Sequence, residues 1–189
     1  MQTTNYFYAK KNLKKFKVKI KSVKHYLDTI KMHNIIIDQE ERKKIVIESG
    51  KEKSRKISLE FKPKDSLLEE VINLVEKPYT LLAKFKQQFL KLPKEILITS
   101  MEKNQKYFPL TDLNNNLSNK FLLISNALPE DKGITIIRGN ERVINARLSD
   151  AKFFFDKDLK SNFLNNEKNL KKLIFHNQLG TVHEKIVRL

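Results

Sequence analysis

The sequence predicts an α+β fold: a mixed or antiparallel sheet with packed helices, followed by a long helix and a C-terminal helical segment. Three observations carry this. Alternating runs and amphipathic helices follow one another in mixed order along the first two thirds of the chain. Two strand-like runs flank the asparagine cluster Asn114, Asn115 and Asn116, as in a hairpin. From Pro129 to Lys160, Ile134, Ile137, Ile144, Leu148, Ala151 and Phe155 recur at helical spacings of three, four or seven.

Taken in order, residues 1–11 show no periodicity and read as a loose end. Phe16, Val18 and Ile20 alternate with lysines, the pattern of a half-buried strand. Ser22 is placed to cap a helix with Val23, Tyr26, Leu27 and Ile30 on one face, ending at Asn34. Asp38 is placed to cap a charged helix through Arg42, Ile45 and Val46 toward Gly50. Ile57, Leu59 and Phe61 fit either a strand or the end of that helix. Leu67, Leu68, Val71, Ile72 and Val75 make an amphipathic helix that closes before Pro78, because proline disfavours a helical residue ahead of it.

Tyr79 to Phe85 reads as a strand, and Pro93 opens a helix carrying Ile96, Leu97 and Met101. Tyr107 to Thr111 and Phe121 to Ser125 are the two arms of the hairpin. Gly139 interrupts the long helical pattern at a cost of about 1 kcal/mol relative to alanine. A last helical pattern runs from about Glu167 to Leu189. The expected organisation is a segment 1–15, an α+β domain over 16–128, and a helical extension over 129–189 that continues the same domain and is truncated at its C-terminus.

The 189 residues suffice for one generous core. Cysteine is absent, which removes disulfides, thiolate metal sites and a Cys/His nucleophile, and fits a reducing compartment. No apolar run approaches the roughly 20 residues that span a bilayer, and the N-terminus has no signal-peptide pattern. The expected location is the cytoplasm, with no membrane partner. Lys and Arg number 38 against 22 Asp and Glu, a net charge of +16, which suggests a polyanionic partner such as RNA, although lysine-rich coding bias raises the same number. Eight lysines between Lys10 and Lys24 precede the first acid, Asp28. They fit either phosphate contact or a solvated strand face.

No catalytic constellation emerges. The four histidines, His25, His33, His176 and His183, lack zinc-helix spacing, although the last two fit one helix face two turns apart. Ordinary surface or partly buried histidine is the expectation, with no metal. Arg138, Asn140, Glu141, Arg142, Asn145 and Arg147 form a polar cluster, and arginine forks bind phosphates and carboxylates bidentately. It fits either an ion pair that orders the helix or an RNA or subunit contact. Gln105, Lys106 and Tyr107 offer a polar and stacking surface. The triple Phe153, Phe154 and Phe155 reads as core, although bases stack on such rings too.

The motifs go further. Ser100–Pro109, Ser-Met-Glu-Lys-Asn-Gln-Lys-Tyr-Phe-Pro, resembles a segment of the bacterial glycyl-tRNA synthetase beta subunit that ends Gln-Lys-Tyr-Phe-Pro. Gly139-Asn-Glu-Arg-Val143, Ala146-Arg-Leu-Ser-Asp-Ala151 and Phe153-Phe154 resemble that family's series in order and spacing. Leu67 to Pro78, Phe89 to Pro93 and Leu179-Gly-Thr181 with Lys185 and Arg188 are similar too, so the resemblance spans about 65–189. Residues 16–49 are compatible with it, through Glu41-Arg42 in a similarly placed helix, while 1–15 match poorly, and Asn104 and Glu184 depart from the residues relatives often have.

The resemblance implies a part of the beta subunit, in the region related to the editing-type domain of phenylalanyl-tRNA synthetase. It implies a role in tRNA binding and subunit architecture for ATP-dependent glycylation of tRNA. The partners implied are the alpha subunit, which holds the class II active site and uses ATP and Mg, and the tRNA for glycine. No cofactor and no catalytic residue is expected in this chain, and the HD chemistry of a following domain does not carry over, since no His-Asp dipeptide occurs. The contact residues expected are Arg138, Asn140, Arg142, Arg147, Gln105, Lys106 and Tyr107. The alternatives are a stand-alone basic RNA- or DNA-binding module and, from fold relationship alone, an editing-like hydrolase.

Overall fold

In the computed structural model, residues 6–11, 14–33, 35–126, 130–160 and 167–189 are described. The fold is α+β. The chain divides into two compact units, Met1–Asn145 and Ala146–Leu189. In the first, β1 (Tyr6–Lys11) and β2 (Lys14–Lys19) form an antiparallel ribbon. The loose end expected there is therefore a strand from Tyr6 onward, for which its aromatic residues have high β propensity.

Ser22 caps α1 (Val23–Met32), its hydroxyl accepting from the His25 N–H. Of the apolar face expected on α1 only Ile30 is buried, and Val23 is exposed. Asp38 caps α2 (Gln39–Arg55), accepting from the Glu40 N–H. Asn34 and Pro129, read as helix boundaries, lie outside the described residues.

Residues 57–61 are neither strand nor helix: they form a turn and a single bridge from Glu60 to Thr111. The sheet consists of β3 (Tyr79–Lys84), β4 (Phe108–Thr111) and β5 (Leu117–Ser125), all antiparallel in the order β3-β5-β4. Strand alternation sends Leu122 to one face, where it joins Val46 of α2, Leu67, Leu68, Val71 and Ile72 of α3 (Asp65–Asn73), Phe61, Phe108 and Leu110 in one core. Phe61 meets Phe108 edge-on at 5.5 Å. On the other face Phe121 stacks with Tyr107 at 4.7 Å and with Phe85 at 6.5 Å. The chain between β3 and β4 carries α4 (Lys94–Ile98), opened by Pro93 and followed by a π-helical turn at Thr99–Lys103.

The long helix is α5 (Ile134–Lys160), and Gly139 does not break it. In the second unit the single C-terminal helix expected from Glu167 is replaced by α6 (Glu167–Leu170), a hairpin of β6 (Ile174–His176) and β7 (Gly180–Thr181), and α7 (Val182–Val187). Two local preferences outweigh the helical spacing. Gly180 takes a φ of +80°, a left-handed turn conformation open to glycine, and Thr181 restarts a helix in a reciprocal capping box with Glu184. His176 and His183 consequently sit on different elements, not on one helix face.

Candidate functional site

Four of the expected contact residues, Gln105, Lys106, Tyr107 and Asn140, gather beside the first turns of α5. β3 is an edge strand, so the N–H groups on its outer side have no strand to bond. The Glu141 carboxylate accepts the Lys84 N–H at 2.9 Å, and the Asn145 side-chain oxygen accepts the Lys86 N–H at 2.9 Å. The intervening Phe85 N–H points inward to the Asn119 carbonyl. A helix thus supplies, from two side chains one turn apart, the acceptors a neighbouring strand would have offered. Of the two readings open for the polar cluster, an ordering ion pair or an RNA or subunit contact, Glu141 shows no ion pair with a described residue, and its carboxylate takes a backbone N–H instead.

Asn140 makes a third attachment: its side-chain oxygen accepts the Tyr107 hydroxyl proton at 2.6 Å, and its NH2 donates to the Ile136 carbonyl. Tyr107 is buried and its ring lies against Phe121, so the stacking expected of it takes place inside the protein. The route to this position is local. After the π turn the chain passes through Lys106 in a left-handed conformation, φ +58°, and the Tyr107 N–H closes on the Met101 carbonyl at 2.9 Å. A non-glycine residue there costs about 1–3 kcal/mol. The bend sends the Lys106 ammonium to the Glu70 carboxylate of α3 at 2.7 Å.

These residues border a cavity of about 370 Å³, with Val71, Val75 and Leu123 on its apolar side and Gln105, Lys106, Ser125 and Asn140 on its polar side. Gln105, Lys106, Tyr107 and Asn140, separated in sequence, come together here. Arg138, Arg142 and Arg147 do not. All three are exposed on α5, and none forms an ion pair with a described residue. Arg138 and Arg142, one turn apart, share a side of the helix. Phe153 and Phe154, expected in a core, are exposed and meet edge-on at 5.5 Å.

The whole chain, residues 1–189, matches the family model described as glycyl-tRNA synthetase beta subunit. The chain belongs to this family. It is 41% identical over 169 residues to the glycine-tRNA ligase beta subunit of Trichlorobacter lovleyi, covering 89% of this chain and 24% of that one. It is 38% identical over 189 residues to that of Dictyoglomus thermophilum, covering 100% of this chain and 27% of the relative. A shorter alignment with the Janthinobacterium protein reaches 50% over 125 residues, 66% of this chain and 18% of the other. The chain therefore spans about a quarter of the length of the first two relatives.

In this beta-subunit chain the Gly139-Asn-Glu-Arg-Val143 motif divides by role. Asn140 and Glu141 hold α5 to the sheet, and Arg142, with Arg138 just ahead of the motif, faces solvent. Sequence reasoning missed Arg42 as an organising residue. Its guanidinium donates to the carbonyls of Ile36, Ile37 and Ile72 at 2.6, 2.7 and 2.8 Å, tying the entry of α2 to α3. The available signal was an arginine one turn into a helix beside an apolar run. Among the described residues no group of three His, Asp or Glu side chains is placed to hold a metal ion, and no helix is long and apolar enough to cross a membrane.

Proposed function

We propose that this chain is a tRNA-engaging and architectural part of a glycine-tRNA ligase beta subunit, serving ATP-dependent glycylation carried out with an alpha subunit in the cytoplasm. The observation that supports the reading is the division of labour on α5. Its inner side is pinned to the sheet edge through Glu141 and Asn145 and to the Tyr107 hydroxyl through Asn140, and Arg138 and Arg142 stand exposed on the same helix, neither in an ion pair with a described residue. A pinned helix holds two guanidinium forks at fixed spacing, the arrangement that binds successive phosphates at low entropic cost.

ATP and Mg belong, in this reading, to the alpha subunit, and this chain carries no catalytic residue. Arg142→Ala is expected to reduce affinity for the glycine tRNA more than tenfold with the melting temperature unchanged. Unchanged affinity with a lower melting temperature would make the arginine structural and sink the contact role. Recovery of an alpha chain on co-purification separates this reading from a stand-alone nucleic-acid-binding module, which would bring none.

A further inference from the structure

The cavity beside the first turns of α5 holds chemistry that the arginines do not use. Its volume of about 370 Å³ falls at the lower end of the roughly 300–1,000 Å³ typical of small-ligand sites. Asn140 and Ile136 reach it from α5, one turn apart and so on one side of the helix. Arg138 and Arg142, each two positions from Asn140, are set about 160° away around the helix axis. Val71 and Val75 approach from α3 and the turn after it, and Leu123 and Ser125 from β5.

Gln105 and Lys106 enter from a strained stretch. They follow the π-helical turn at Thr99–Lys103, and Lys106 takes a φ of +58°. Isolated π turns and left-handed non-glycine residues both concentrate at ligand sites, where they aim side chains that regular backbone would turn elsewhere. Gln105 is half-buried, and its side-chain amide makes no hydrogen bond with a described residue. Asn140 is instead held at both ends, its oxygen accepting the Tyr107 hydroxyl proton and its NH2 donating to the Ile136 carbonyl. Those two bonds fix which way the amide faces and leave it one lone pair and one proton.

Charge narrows the occupant. Lys106 is the one charged residue among the described residues that line the cavity, and both oxygens of Glu70 take its ammonium, at 2.7 and 2.8 Å. That pairing leaves no uncompensated charge on the described lining to favour an anion. An apolar ligand would shut the Gln105 and Asn140 amides away from water without partners. What fits is a neutral, flat molecule with apolar faces and donors and acceptors along its edge. We propose that the cavity takes one unpaired nucleobase of bound RNA, its faces against Val71, Val75 and Leu123 and its edge on the Gln105 and Asn140 amides. Splayed-out bases of loops and ends are read by hydrogen bonds to an edge, for which side-chain amides are well suited. The proposal rests on the reading that the chain engages tRNA, but on residues separate from the α5 arginines. Every tRNA offers unpaired bases, so one such pocket adds affinity without selecting a single tRNA.

The test titrates glycine tRNA into the full chain across a salt series. Gln105→Leu, which keeps the bulk and removes the amide, is expected to weaken binding about tenfold at fixed salt, with the slope of log affinity against log salt unchanged. Arg142→Ala is expected to lower that slope by about 0.7–0.9, the signature of a lost phosphate contact. The melting temperature of Gln105→Leu should match wild type, because the amide bonds no described residue.

Chemical probing of the tRNA adds a readout on the unaltered protein. The wild-type chain should protect one unpaired base from modification at its Watson–Crick edge, and Gln105→Leu should release it. Absence of a protected unpaired base, unchanged affinity in Gln105→Leu, or a loss that also lowers the salt slope would overturn the proposal. Release of the protected base by added free glycine would overturn it too, by assigning the cavity to an amino acid. Normal binding by Gln105→Leu with loss in Arg142→Ala would remove the base pocket and leave the α5 contact standing, whereas a wild-type chain that binds no tRNA would end both.

Discussion

Two glycines lie in helix interiors, and the space around each sets the sign of replacing it. A β-carbon on Gly139 would meet nothing within 4 Å, so alanine there gains helix propensity at no steric cost. Gly139→Ala is expected to raise stability by about 1 kcal/mol in chemical denaturation. On Gly50 the same carbon would overlap the ring of Phe61, which is buried against Phe108. Overpacking of this kind costs about 1–3 kcal/mol and outweighs the propensity gain, so Gly50→Ala should lower the melting temperature. The sequence reads Gly139 as an interruption of a helical pattern and Gly50 as the point toward which one runs, whereas both lie inside helices and only the packing tells them apart. Arg42 raises a similar point. Arg42→Ala should cost about 2–3 kcal/mol, because three carbonyls lose a charged donor, and Arg42→Lys should restore little, since an ammonium cannot span the same fork. Thermal melts of the pair check both statements.

At the scale of elements, the strands and helices whose ends carry local chemistry were legible. Ser22 and Asp38 cap where a short hydroxyl or carboxylate side chain should. The asparagine cluster does turn the hairpin, although Asp112 organises it, accepting the N–H groups of Asn114 and Asn116 and the side-chain NH2 of Asn116. What failed was periodicity without a boundary signal. The pattern after Glu167 hid a hairpin, and the face of α1 is apolar without being buried. The attachment of α5 was also illegible, since backbone N–H groups at a sheet edge leave no trace in composition. It is testable by hydrogen exchange. Glu141→Ala should accelerate exchange at Lys84, and Asn145→Ala at Lys86, with Phe85 unaffected by either because its N–H bonds to Asn119. Equal acceleration at all three would mean that the strand frays as a unit and that α5 is not its partner.

At the scale of the molecule, acid sensitivity and charge lead in the same direction. Asp112 is held below the ordinary aspartate value by the Asn116 side chain and backbone, Asp131 by the Thr135 side chain and backbone, and Glu184 by the Thr181 N–H and hydroxyl. A depressed carboxyl contributes stability that is full above its unfolded value and is lost as pH falls through its folded one. The hairpin loop, the start of α5 and the cap of α7 should therefore loosen together below the ordinary carboxylate range, with Asp112→Asn removing the hairpin's share of that acid response. Protonation of carboxylates also raises an already positive net charge from +16 at neutral pH. Such a charge supplies salt-dependent, sequence-independent affinity, whereas discrimination between RNAs needs contacts to base edges. Arg138 and Arg142, the proposed tRNA contacts, are exposed on α5 and are of the type that binds phosphate rather than base edges. The isolated chain should accordingly bind glycine tRNA and an unrelated tRNA within about tenfold of each other at low salt, both weakening steeply as salt rises. A preference for the glycine tRNA that persists at moderate salt would show that base contacts reside in this chain, and would direct attention to the cavity beside Gln105 and Asn140, which has the amides to make them.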